Sequence, residues 1–266
     1  MKLGLRPLII RLAGNDVIQR LLAWNVYISQ YLMGIGSGST AGASGEGAVV
    51  ALAARRYTEG PLCLFDVGAN QGQYLTVALK ALTNRDVVVH AFEPSRAAFV
   101  ALRETLGTRA DVHINNSALG SAPGSATLYY DRPGSGLASL TRRRVDHLGI
   151  EFGLSERVAV DTVDEYCTAQ GVPRIHLLKL DVEGHELNVL KGAAHMLEGR
   201  LIDVIAFEFG GCNIDTRTYL RDFFDLFNGY RMRLARVTPS GYLVDLPSYR
   251  EAYEQFRTSN FVAVRD

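Results

Sequence analysis

The stretch Leu64-Phe65-Asp66-Val67-Gly68-Ala69-Asn70-Gln71-Gly72 constrains the chain more than any other. An apolar run from Leu62 to Phe65 ends in an acid. Glycines follow at 68 and 72, and a periodic apolar segment opens near Tyr74. That order predicts strand, tight turn, helix. Gly68 permits a positive φ or a close backbone approach that a Cβ would block. The helix after the turn points unpaired amides at whatever lies above it. Ligands of open α/β sheets lie beyond the carboxyl ends of the strands, so the turn marks a ligand edge.

The alternation continues downstream. Val87–Phe92 is an unbroken apolar run, as expected of a strand covered on both sides. It ends at Glu93-Pro94-Ser95, with Ser95 an expected cap for a helix carrying Phe99, Leu102 and Leu106. A short strand at 112–114 leads into Asn115-Asn116-Ser117-Ala118. Strands at 125–130 and 157–160 flank a polar, glycine-bearing insertion, 131–156, which with the N-terminal segment and the 34–47 loop is expected to wall the acceptor cleft. Ile175–Leu180 is the next parallel-type strand and runs into Asp181-Val182-Glu183-Gly184-His185-Glu186. One helix with Leu187, Leu190, Ala194 and Leu197 on its buried stripe follows. A strand at 204–209 holds Glu208 among apolar neighbours. A helix with Leu220, Phe223, Phe224 and Phe227 comes next, then closing strands at 230–237 and 260–264. This βα order predicts an α/β fold with a mostly parallel sheet, right-handed crossovers and helices on both faces.

With 266 residues and 47% hydrophobic content, the chain can bury one such domain plus an appendage. The expected division is an N-terminal helical segment with a Gly/Ser-rich flap at 34–47, together residues 1–57, and a main domain, 58–266. Residues 16–33 have helical apolar spacing and are expected to pack on the main domain, a partner or membrane face being the alternative. Ser44 is the expected cap of a helix over 46–57. Arg6, Arg11, Asp16 and Arg20 interrupt any apolar span of about 18 residues, so no transmembrane or secretory segment is expected, whereas peripheral membrane contact is compatible. The formal net charge of zero gives no basic excess for a nucleic-acid partner. Arg142-Arg143-Arg144 is expected to be a solvated loop, with phosphate or acidic-substrate contact as the alternative. Cys63, Cys167 and Cys212 lack metal spacing and are odd in number, which suits a reducing, cytoplasmic setting.

Asp66, Glu93 and Asp181 each end a parallel-type strand, so the sequence places three acids side by side at the ligand edge. Glu93 follows Gly68 by 25 residues, the position from which a carboxylate accepts hydrogen bonds from a ribose diol. The turn lacks the middle glycine of G-x-G-x-x-G, which disfavours a dinucleotide, and no phosphate loop with a Gly-Lys-[Ser/Thr] ending is present. A nucleoside with a cationic tail fits better, and S-adenosylmethionine has that form. A nicotinamide-dependent oxidoreductase and a non-catalytic nucleoside-binding domain are the alternatives.

These motifs together resemble the FkbM family of S-adenosylmethionine-dependent methyltransferases. The resemblance rests on Asp66 to Gly72, Phe92-Glu93-Pro94, Asn116 to Gly120, Leu178 to Glu186 and Leu190-Lys191-Gly192-Ala193, and covers residues 61–266. It implies a seven-stranded, Rossmann-like class I methyltransferase sheet with a reversed last hairpin, and O-methylation of a sugar, glycolipid or secondary-metabolite hydroxyl. It further implies that Asp66, Gly68, Asn70 and Gly72 line the methionine part, that Glu93 binds the ribose, and that Ser117 and Ala118 flank the adenine, with Ala69, Tyr74 and Pro94 also in the cofactor site. Asp181 would lie beside the sulfonium and the acceptor. Candidates for the base are Asp181 first, then Glu208, Glu183 and His185. Glu183 and Glu186 otherwise favour the following helix N-terminus, and His185 otherwise belongs to its first turn. Lys179 shares strand parity with Asp181 and is expected to pair with it. A divalent metal on Asp181 and Glu208 is compatible with the sequence but has no ligand motif.

Overall fold

The computed structural model describes residues 10, 13–38 and 44–265. The early part of the N-terminal segment and the centre of the 34–47 flap therefore lie outside the described residues. In chain order the elements are α1 (Asp16–Leu32), α2 (Glu46–Arg56), β1 (Leu62–Val67), α3 (Gln73–Ala81), β2 (Val87–Phe92), α4 (Arg96–Leu106), β3 (Val112–Asn115), β4 (Ala118–Leu119), β5 (Gly124–Tyr130), β6 (Leu154–Asp161) and α5 (Val163–Gln170). They continue as β7 (Ile175–Leu180), α6 (Glu186–Lys191), α7 (Ala194–Glu198), β8 (Ile202–Phe209), α8 (Cys212–Thr216), α9 (Leu220–Gly229), β9 (Met232–Val237), β10 (Leu243–Asp245) and β11 (Ser259–Arg265).

Among the described residues, the main sheet runs β10-β9-β11-β8-β7-β1-β2-β3. The strands from β3 to β8 are parallel, and β11 inserts antiparallel between β8 and β9. This is the expected mostly parallel sheet with its reversed last hairpin, widened by the three-residue edge strand β10. A small second sheet, β4-β6-β5, carries the insertion between β5 and β6.

Helices cover both faces because each strand is apolar on both sides. Phe65, Phe92 and Phe207 pack under α5, α6, α7 and α9 through Tyr166, Leu190, Leu197 and Phe223. Leu64, Val89 and Leu177 pack under α2, α3 and α4 through Val50, Leu75 and Leu102. Buried aliphatic and aromatic side chains of this size each contribute about 1.5–3 kcal/mol, so α2 is held into the main core by Val49, Val50 and Ala53.

The structure corrects three expectations. The single helix expected after Glu186 is two, because the chain breaks at Gly192, where a Cβ would run into the carbonyl oxygen of Gly120. Ser44 does not cap α2: Gly45 holds the N-cap position at φ 79°, and the Ser44 hydroxyl donates to Glu46 Oε2 at 2.8 Å. The α1 helix does not pack on the domain along its length, and none of its residues is buried. No helix among the described residues is long and apolar enough to cross a membrane.

Candidate active site

The ends of β1, β2 and β7 are level. Val67 pairs in register with Phe92 on one side and Leu180 on the other. The next residues are Gly68, Glu93 and Asp181. Asp66 is therefore not one of the tips, contrary to expectation. It lies one residue back, in register with Ala91 and Lys179.

Gly68 takes φ +85°, and its N–H donates to the carbonyl of Phe92 at 2.9 Å. A Cβ there would run into the carbonyl oxygen of Asp181. The glycine thus lets two strand ends approach closely. At Gly72, φ +88°, a Cβ would come within 2.9 Å of Leu102 Cδ1, so this glycine seats the α3 start on α4 and does not line the pocket.

Glu93 is buried at the tip of β2. Its Oε2 accepts the Asn70 N–H at 2.8 Å and its Oε1 accepts the Ser95 N–H at 2.7 Å. Burial pushes its pKa up to about 7, against the pull of those two amides. Val67, Gly68, Asn70, Glu93, Pro94, Ser117 and Ala118 line a pocket over the tips. The insertion after β5, expected as an acceptor wall, lies over this pocket through Ser135, Gly136, Ala138, Ser139 and Leu140. It is tied down where Ser139 Oγ donates to the Glu183 carbonyl at 2.9 Å and Gln71 Nε2 donates to the Gly134 carbonyl at 3.5 Å. Asn70 Oδ1 is buried beside the pocket without a hydrogen-bond partner. A glycine cradle, a carboxylate and a free amide oxygen fit a hydroxyl- and amine-rich nucleoside.

Behind this pocket Lys179 Nζ sits 3.1 Å from Asp181 Oδ2, 3.6 Å from Asp66 Oδ1 and 4.8 Å from the centre of the Tyr74 ring. Burial alone would lower the Lys179 pKa, but Asp181 and Asp66 raise it well above the usual value. Burial pushes Asp66 up to about 6, and Lys179 offsets part of that rise. The result is an ammonium shared by two carboxylates. Asp66 is wholly inside the protein, whereas the Asp181 side chain is 34% exposed. Tyr74 faces this buried pair and a second cleft, lined also by Glu46, Glu208 and Asn260. Burial, and then Asp181, raises the Glu208 pKa well above the ordinary range.

The other acids have structural partners. Glu183, at φ 53°, is ion-paired with Arg143, whose Nε lies 3.9 Å from Asp215. The arginine run is thus not a wholly solvated loop: Arg142 and Arg144 are exposed, but Arg143 is drawn inward. Glu186 Oε1 accepts the N–H groups of Val182 and Gly184 at 3.1 Å each, so it braces the turn after β7 and does not serve only as a charge at a helix end. His185 lines the pocket over the strand tips, at the N-cap of α6. Its Nε2 lies 2.9 Å from Thr141 Oγ1, its Nδ1 lies 3.1 Å from Asn188 Nδ2, and burial lowers its pKa. Among the described residues no three His, Cys, Asp or Glu side chains gather as a metal-ligand set. Sequence reasoning expected the insertion as an acceptor wall but not that 135–140 roof the pocket over Gly68 and Glu93, and it missed the pairing of Lys179 with Asp66. The second was legible in principle, since both lie on parallel strands that share a face.

The buried carboxyls set a pH dependence of stability. Glu186 is also pushed up to about 7 by burial. A pKa raised on folding means that the folded state holds the proton more tightly. The contribution is complete below about 4.5 and is lost as pH rises through about 7. Chemical unfolding followed from pH 5 to pH 8 will therefore show falling stability. Glu186→Gln will flatten the slope by up to about 1.4 kcal/mol per pH unit.

The family profile described as Methyltransferase FkbM domain matches residues 66–232. The hexuronic acid methyltransferase AglP of Haloferax volcanii is 30% identical over 135 residues, which is 51% of this chain and 51% of that protein. The match thus spans about half the length of this curated relative. Among solved structures, a methyltransferase FkbM from Methylobacillus flagellatus is 16% identical, with coverage of 76% of this chain and 43% of that one and a TM-score of 0.46. The magnesium protoporphyrin IX methyltransferase of Synechocystis with bound S-adenosylmethionine is 13% identical, with coverage of 97% and 96% and a TM-score of 0.41.

Proposed function

The chain belongs to the FkbM methyltransferase family, and on that basis we propose that it methylates a hydroxyl oxygen of a sugar or similarly hydroxylated acceptor. It is an S-adenosylmethionine-dependent methyltransferase. The oxidoreductase alternative is set aside by the family match.

The observation that carries the oxygen specificity is the Asp181 carboxylate, 34% exposed at the end of β7 and held by Lys179 at 3.1 Å. S-adenosylmethionine, when bound, supplies a methyl group already activated by its sulfonium, so the protein's share is alignment and proton removal. An alcohol is a weak nucleophile at neutral pH, and a carboxylate within hydrogen-bond reach accepts its proton as the O–C bond forms and the S–C bond breaks. Asp181 suits that role better than its neighbours. Glu183 is held by Arg143, and both His185 ring nitrogens have partners. Lys179 is a positioning residue that holds the Asp181 carboxylate in place at 3.1 Å. Glu93 would accept from the ribose hydroxyls, Asn70 Oδ1 would accept a further donor hydrogen, and Ser117 with Ala118 would flank the adenine. A sugar acceptor is supported by the curated relative, whose name specifies a hexuronic acid.

The test is methyl transfer from isotope-labelled S-adenosylmethionine to a panel of hexoses, hexuronic acids, glycolipids and small amines, with products identified by NMR. An O-methyl ether on a sugar hydroxyl is expected. Label appearing on nitrogen, carbon or a carboxylate as methyl ester would overturn the assignment.

A further inference from the structure

The α1 helix meets the domain with its polar side and turns its apolar side to solvent. Gln30 Nε2 donates to Gln255 Oε1 at 3.1 Å, and Gln30 Oε1 accepts from Arg257 at 2.6 Å. The Arg257 guanidinium also lies 5.0 Å above the Tyr27 ring. The Met33 carbonyl accepts from Arg236 Nε at 2.8 Å. These ties all hold the C-terminal half. Val17, Leu21, Trp24 and Leu32 fall on one stripe at helical period and are 68%, 56%, 65% and 66% exposed. Leu22 and Val26, exposed as well, lie on the other side of the helix, in line with Gln30. A contiguous apolar surface of this kind marks an interaction site.

We propose that α1 docks the protein onto an anionic lipid bilayer, lying in the plane of the headgroups. Charge favours that occupant. Residues 1–33 carry Lys2, Arg6, Arg11 and Arg20 against Asp16, four minus one or +3, and the chain as a whole is neutral, so the remainder is −3. Basic residues next to an apolar helix are drawn to an anionic surface, and buried Leu and Trp side chains hold it there. Trp24, Tyr27 and Tyr31 are the side chains that settle at the boundary between headgroups and acyl chains. A second copy of the chain fits less well. A 17-residue helix spans about 25 Å. Paired along one stripe, it would fall short of the roughly 1,200 Å² that a specific interface buries. A bilayer surface covers a wider arc.

Trp24 is the chain's single tryptophan and reports on the proposal directly. The full chain is titrated with phosphatidylglycerol–phosphatidylcholine vesicles and with phosphatidylcholine vesicles alone. With the anionic vesicles, Trp24 emission will move to shorter wavelength, will be quenched by lipids brominated in the acyl chain, and will recover on raising salt. A Val17→Glu, Leu21→Glu double variant will lose vesicle flotation about tenfold or more. It will keep its thermal unfolding and its affinity for S-adenosylhomocysteine, because neither residue touches the core or the donor pocket. Unchanged emission with anionic vesicles overturns the proposal, as does equal binding to neutral ones. A lipid-free blue shift that grows with protein concentration also overturns it and assigns the face to a second copy.

Discussion

Gly68→Ala will destabilise the fold by about 3 kcal/mol and reduce donor affinity about tenfold or more. Two effects add. The alanine would have to hold φ +85°, a left-handed conformation that costs an L-residue about 1–2 kcal/mol. Its methyl would also run into the carbonyl oxygen of Asp181, so the exit of β7 must shift. Overpacking of this kind adds about 1–3 kcal/mol. The shift also moves Asp181 and the pocket floor together. Gly60→Ala is the control, since Gly60 has φ +70° but nothing within 4 Å of a Cβ. It will carry the conformational part alone and leave donor binding intact. Urea unfolding and calorimetric titration with S-adenosylhomocysteine measure both. A Gly68→Ala protein no less stable than Gly60→Ala would mean that the close approach of β1 and β7 is not under steric control.

Asp181→Asn will lower kcat for methyl transfer by about 10²–10⁴, the range for loss of a positioned general base. The amide keeps the shape of the carboxylate but cannot take the acceptor proton. Lys179 retains Asp66 as a counter-ion at 3.6 Å, so the buried ammonium is not stranded and the fold survives. S-adenosylhomocysteine carries no sulfonium charge, so its affinity for the variant will stay close to that of the unmodified chain. Glu183→Gln will affect kcat far less, because its carboxylate is engaged by Arg143. If Asp181→Asn turns over at the unmodified rate while Glu208→Gln is inactive, the base lies in the second cleft.

The strand, turn and helix around Gly68 were legible in the sequence because their determinants are local. Positive φ at 68 and 72 calls for glycine within a span of five residues. Glu93 and Asp181 were legible for the same reason, each following an apolar run of strand length. Asp66 was misplaced because inter-strand register decides which residue is the tip. Register depends on β7 pairing Lys179 with Asp66, more than a hundred residues away in sequence. The insertion was expected as an acceptor wall, but its place over the strand tips escaped because its anchors, Gly134 to Gln71 and Ser139 to Glu183, are long-range hydrogen bonds. The α1 helix was recognised, but not its orientation. Apolar periodicity predicts a helix with one greasy side and says nothing about which way that side points.

The central claim is that the tips of β1, β2 and β7 hold the adenosine of the methyl donor, with Glu93 on its ribose. Calorimetric titration of S-adenosylhomocysteine at pH 8 into the unmodified chain and into Glu93→Ala tests this most directly. Saturable one-to-one binding by the first, lost by the second while its far-ultraviolet circular dichroism is unchanged, is the predicted outcome. Equal affinity in the two proteins would contradict the account.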